Sequence, residues 1–173
     1  RYKPDIYSKE ASRRLFDFNA DVKIPPETGT ILVVDDEPDN LELLEKILQQ
    51  TNHTVFTAEN ASNAMEILSD KTIQIELILL DLIMPGLNGM ELLQKLKADS
   101  NTCNIPVIMQ SAMEGLETVV ECITLGADDF LLKPVNQVLL KAKLNNTLEK
   151  KHLRDKELKY KNKIKHEQEK SET

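Results

Sequence analysis

Five short apolar runs, "TILVV", "HTVFTA", "ELILLD", "IPVIMQSA" and "DDFLLKP", succeed one another between Thr30 and Pro134, each trailed by a stretch with helical spacing. This alternation restricts the possible folds more tightly than anything else in the chain. "TILVV" is solidly apolar and rich in β-branched residues, which marks a strand covered on both faces. After it, "DNLELLEKILQQ" aligns Leu41, Leu44, Ile47 and Leu48 on one helical stripe, with Asp39 as a cap beside Pro38. "ASNAMEILSD" is read as a second helix that turns Ala64, Ile67 and Leu68 inward, and "MELLQKLKA" as a third. "LETVVECITLG" is read as a fourth, aligning Leu116, Val119, Val120 and Ile123, and a last helix begins near Asn136. Strand and helix in strict alternation imply a parallel sheet with helices on both faces, a (βα)5 chain of the α/β class.

That topology locates a site before any motif is invoked. In open parallel sheets, ligands gather beyond the carboxyl ends of the strands, where strand order reverses. Asp35 and Asp36 follow the first strand, Asp81 ends the third, Ser111 follows the fourth and Lys133 the fifth. Three carboxylates at one edge repel each other and raise one another's pKa. A hard divalent cation such as Mg²⁺ relieves this, since it takes oxygen ligands and is held by one or two carboxylates beside a phosphate. Lys133 supplies an ammonium and Ser111 a hydroxyl for such a phosphate. A carboxylate beside a metal and a lysine is placed to act as a nucleophile on a phosphoryl group, a transfer that depends mainly on positioning and charge.

The pieces "ILVVDDEPDN", "LILLDLIMPGLNGMELL", "PVIMQSA" and "GADDFLLKP" together resemble the receiver domain of a two-component response regulator, in order and in spacing. The resemblance covers essentially all of residues 30–140 and implies the flavodoxin-like fold: a five-stranded parallel sheet, here with an extended C-terminal helix. It implies that Asp81 is the phosphoacceptor, that Asp36 ligates Mg²⁺ directly with Asp35 acting mainly through water, and that the Ile83 carbonyl is a further ligand. It implies that Ser111 and Lys133 bind the phosphoryl group, that Ser111 and Phe130 form the conformational switch, and that the Lys133–Pro134 peptide is cis. Its partners would be a sensor histidine kinase or a phosphotransfer protein. Ile83 and Met113, two residues beyond Asp81 and Ser111, are apolar and expected to shield the acyl phosphate from water. A haloacid-dehalogenase-type phosphohydrolase is the enzyme alternative, but such enzymes use an Asp-x-Asp pair and position 83 is Ile. A receiver-like interaction module that takes no phosphate is the other.

Composition bounds the rest. The chain has 173 residues, 40% apolar and 29% charged, which suits one domain with extensions. No stretch approaches the ~20 apolar residues of a membrane span. No basic-then-apolar leader precedes the domain, so a cytoplasmic location is expected. Arg1 in place of Met reads as a piece of a longer chain. Cys103 and Cys122 lack metal or redox spacing and are expected to be plain thiols. Residues 30–140 hold 5 Lys or Arg against 18 Asp or Glu, a net −13, while residues 141–173 hold 11 against 6, a net +5. An acidic body offers no face for phosphates, which argues against nucleic-acid binding by this segment.

Pro25, Pro26 and Gly29 mark a boundary, so residues 1–29 are expected to be an extension, with "SKEASRRLFDF" a short helix capped by Ser8. From Asn136 to the end there is neither Pro nor Gly, and a helix of ~30 residues would run ~45 Å. Residues 141–173 are thus expected to be a helical signalling linker towards an output domain. Leu144, Leu148, Leu153, Leu158, Tyr160 and Ile164 are spaced by 4, 5, 5, 2 and 4, which is no strict heptad. A parallel homodimer through this helix is nevertheless the expected use. The segment resembles connectors that precede nucleotide cyclases, diguanylate cyclases or serine phosphatases, and the style of "LEKKHLRDKEL…EKSE" favours a class III adenylate or guanylate cyclase.

Overall fold

The computed structural model describes residues 27–86, 88–112 and 115–172. The helix expected after Ser8 and the shielding position Met113 lie outside the described residues. Ten elements alternate strictly: β1 (Thr30–Val34), α1 (Pro38–Gln50), β2 (Thr54–Ala58), α2 (Ala61–Ser69), β3 (Leu77–Asp81), α3 (Gly89–Ala98), β4 (Val107–Ser111), α4 (Leu116–Thr124), β5 (Asp129–Leu132) and α5 (Gln137–Ser171). The strands form one parallel sheet in the order β2-β1-β3-β4-β5.

Residue alternation along the strands sorts two cores. Ile31, Val33, Leu77, Leu79, Ile108 and Leu131 face Leu41, Leu44 and Leu48 of α1 and Leu140, Leu144 and Leu148 of α5. Leu32, Val34, Ile78, Leu80, Met109 and Phe130 face α2, α3 and α4. Both faces of the central strands are therefore dry, which is why β1 and β3 show no polar alternation. Burying each such side chain contributes ~1.5–3 kcal/mol.

Asn side chains start three of the helices: Asn60 accepts from Asn63 N, Asn88 from Glu91 N, and Asn136 from Val138 N and Leu139 N. α1 differs from the sequence reading. Its cap is Glu37, without a side-chain bond, and Asp39 lies in the first turn. Pro38 sets the boundary, because its fixed φ and missing N–H suit the first helical position. α4 also differs. Cys122 is buried and Val119 packs against the core, whereas Leu116 is 79% exposed and Val120 and Ile123 are also exposed. α4 packs against β5, the last strand of the sheet, and its Val119/Cys122 side meets the interior.

Candidate functional site

The chain leaves β1 towards β2 on one side and β3 on the other, so the crevice between β1 and β3 is the point where strand order reverses. The side chains at its carboxyl edge are short and acidic. Asp35 follows β1 fully buried, and Asp81 ends β3 at 5% exposure. Ligand atoms of Asp35, Asp36 and Asp81 all lie within 4.8 Å of one another. Across them, Lys133 Nζ stands 2.9 Å from Asp35 Oδ2 and 3.3 Å from Asp81 Oδ2.

Each group is held by the turn that delivers it. Asp35 accepts from Glu37 N at 2.9 Å and from the Asn40 amide on the first turn of α1. Asp81 accepts a long bond of 3.4 Å from Ile83 N, in the loop that carries Ile83 into solvent. Gly89 opens α3 against this loop: its N–H donates to Leu82 O at 2.9 Å, and a Cβ there would collide with the Asp81 carbonyl. Lys133 is carried just past β5, where its N–H donates to Ser111 O at 2.9 Å. The Lys133–Pro134 peptide is cis.

Ser111, the last residue of β4, is buried at the same edge. By strand alternation it lies on the face of Val107 and Met109, the face that also buries Phe130 of β5. The sheet thus brings Asp35, Asp36, Asp81 and Lys133 into contact range, with Ser111 beside them and Phe130 one strand away on the α4 side.

The electrostatics follow from this crowding. Burial first, and then the charge of Asp35, push the Asp81 carboxyl up to about 6, against the pull of Lys133 and the Ile83 N–H. Burial works against the Lys133 ammonium, but its bonds and charge contacts with Asp35 and Asp81 outweigh this and raise its pKa. The donor set for a cation is all oxygen, which suits Mg²⁺ rather than a softer metal.

Two polar side chains near the crevice carry no clear sequence signal. Asn40 orients Asp35 from α1. Its only signal is its place one helical turn past Asp36. Gln110 on β4, paired in register with Asp81, is fully buried, and neither atom of its amide has a partner among the described residues. It sits at the end of the apolar run "VIM", where nothing marks it.

The family model of the response regulator receiver domain matches residues 31–145. The chain is 35% identical over 118 residues to the two-component response regulator-like protein PRR37 of Oryza sativa subsp. indica, covering 68% of this chain and 16% of that one. It is 36% identical over 119 residues to the phosphate regulon transcriptional regulatory protein PhoB of Pseudomonas aeruginosa, covering 69% and 51%. It therefore spans about half or less of the length of these relatives. Among solved structures, the signal receiver domain of a signal transduction histidine kinase from Syntrophus aciditrophicus superposes with a TM-score of 0.64 at 33% identity, covering 70% of this chain and 90% of that one. With its flavodoxin-like sheet and its acidic strand-end crevice, this chain belongs to the response regulator receiver domain family.

Proposed function

We propose that residues 30–140 are a phosphoaccepting receiver in which Asp81 takes the phosphoryl group from a sensor histidine kinase or a phosphotransfer protein. The observation that carries this reading is the ion-paired crevice: one carboxylate ending β3, 3.3 Å from Lys133 and within 4.8 Å of two further aspartates. An Asp81 carboxylate oxygen forms the bond to phosphorus while the donor's bond to phosphorus breaks, and the donor leaves with that electron pair. Asp35, Asp36, Asp81 and the Ile83 carbonyl are the groups that would hold Mg²⁺, which when bound offsets the charge on the phosphoryl oxygens. Lys133 supplies a fixed positive charge to the same oxygens, and Ser111 a hydroxyl. Movement of Ser111 towards the phosphoryl group would draw Phe130 inward and remodel the α4 side of the domain. Ile83, exposed two residues past the acceptor, would slow the approach of water.

Residues 141–173 then act as the signalling linker, carrying the change to an output domain by dimerisation. A class III nucleotide cyclase is the output proposed, residues 1–29 being an extension and the whole a cytoplasmic protein. Among the described residues no helix is long and apolar enough to cross a membrane.

Incubation with Mg²⁺ and acetyl phosphate, followed by intact mass measurement, tests the reading. A gain of one phosphoryl group that disappears in Asp81→Asn is expected. Multiple turnover of phosphate esters would instead support the phosphohydrolase, and no adduct at all would favour the inert module.

A further inference from the structure

A second charged cluster lies at the opposite edge of the sheet, where the strands begin. His152 of α5 stands between two carboxylates, its Nδ1 2.7 Å from Glu27 Oε2 and its Nε2 2.6 Å from Glu76 Oε2. Glu27 lies on the chain entering β1 and Glu76 on the chain entering β3. Both are held by further bonds. Glu27 N donates to Asn145 Oδ1 of α5 at 2.7 Å, and Thr30 N donates to Glu76 Oε1 at 3.2 Å.

A carboxylate can only accept, so a ring that meets a carboxylate on each nitrogen must carry both protons. His152 is then a charged cross-link between three segments far apart in sequence. Burial opposes that charge, but the bonds and charges of Glu27 and Glu76 outweigh it and hold the ring's pKa above the ordinary histidine value. Its position gives the link a purpose. Leu148 is the last fully buried residue of α5, and every described residue of the helix from Leu153 onward is exposed. A cleft of about 710 Å³, lined by Ile75, Asn104, His152, Lys156 and Lys159 among others, separates this outer part of α5 from the loops before β3 and β4.

We propose that Glu27, Glu76 and doubly protonated His152 form a latch that fixes the direction in which α5 leaves the domain and ties the chain entering β1 to that exit. Loss of the His152 proton opens the latch, since a neutral ring can donate to only one of the two carboxylates. The proposal does not depend on phosphoryl chemistry at the other edge.

The groups around the ring set the pH window. Glu27 and Glu76 face it directly. On α5 itself, Lys151 pairs with Asp155 at 2.7 Å, and Lys156 and Lys159 line the cleft beyond. On the chain before β2, His53 accepts from Gly29 N at 3.2 Å through Nδ1, which requires that nitrogen to be unprotonated, and burial first of all lowers its pKa. The two histidines therefore act in opposite senses. The contribution of His152 is complete below the ordinary histidine pKa and is lost as pH rises through its raised value. That of His53 is present above the ordinary value and is lost as pH falls towards its lowered one. The junction is tightest between the two.

Hydrogen exchange of the amides from Leu148 to Lys156 in the full chain, with NMR titration of His152, tests this. Protection is expected to fall ~10-fold as pH rises through the His152 midpoint. His152→Ala should show the low level without the fall at higher pH, keeping only the weakening in acid that His53 contributes, and Glu27→Gln should lower both the midpoint and the protection. If His152→Ala loses protection across the whole sheet, Glu27→Gln alone decides. Protection that ignores pH, a His152 midpoint at or below the ordinary value, or Glu27→Gln indistinguishable from the parent would overturn the latch.

Discussion

Asp81 carries its charge at a cost to folding. A carboxyl held at about 6 by burial and by Asp35 is more easily protonated in the folded chain than in the unfolded one, whose ordinary value is 3.8. Its contribution to stability is therefore complete below that ordinary value and is lost as pH rises from there through about 6. Asp81→Asn removes the penalty. Without divalent cation it should be more stable than the parent at neutral pH by ~1–2 kcal/mol, with the advantage vanishing in acid, as urea denaturation at several pH values would measure. An advantage that stayed constant with pH would contradict this origin. That Asp35, Asp81 and Lys133 gather at one edge was legible because each ends or follows an apolar run. Asn40 was not, because its bond to Asp35 exists only once α1 folds back over the end of β1.

Among the elements, α3 shows how packing at a helix start holds the Asp81 backbone. Gly89 lets the helix approach the β3 backbone so closely that no Cβ fits beside the Asp81 carbonyl. Gly89→Ala should push α3 off the loop, cost ~1–3 kcal/mol, and slow phosphorylation of Asp81 by acetyl phosphate. Normal stability together with a normal rate would show that the loop absorbs the methyl group freely. The existence and order of all ten elements followed from apolar periodicity. The face that α4 presents did not. Leu116, Val120 and Ile123 form a good stripe, yet they stay exposed, because the direction in which a short helix turns depends on the sheet beneath it. The start of α1 was misplaced for a local reason: Pro38 outranks Asp39 in setting the first turn.

On the scale of the whole molecule, the described chain is an acidic α/β body with a basic 35-residue helix whose first turns pack into the core and whose outer part, from Leu153, extends from it. The outer half of α5 exposes Leu153, Leu158, Tyr160 and Ile164. A second copy would cover them, and signalling by dimerisation then predicts tighter self-association on phosphorylation. Sedimentation of the chain with and without acetyl phosphate, repeated with the chain cut after His152, checks this. The full chain should shift towards dimer and the shortened one should remain monomeric; dimerisation that survived the cut would place the interface on the body instead.

Sequence alone accounts for the alternating parallel fold, the edge that carries the acidic crevice and the great length of the last helix. These follow from local periodicity, from charges at the ends of apolar runs and from the absence of helix breakers. It could not foresee the bond from Asn40, the buried Gln110 amide without a partner among the described residues, or the link through His152 to Glu27 and Glu76, 125 and 76 positions away. His152, Glu27 and Glu76 share no spacing and no motif, and they meet only because the sheet sets the starts of β1 and β3 side by side and α5 packs against it.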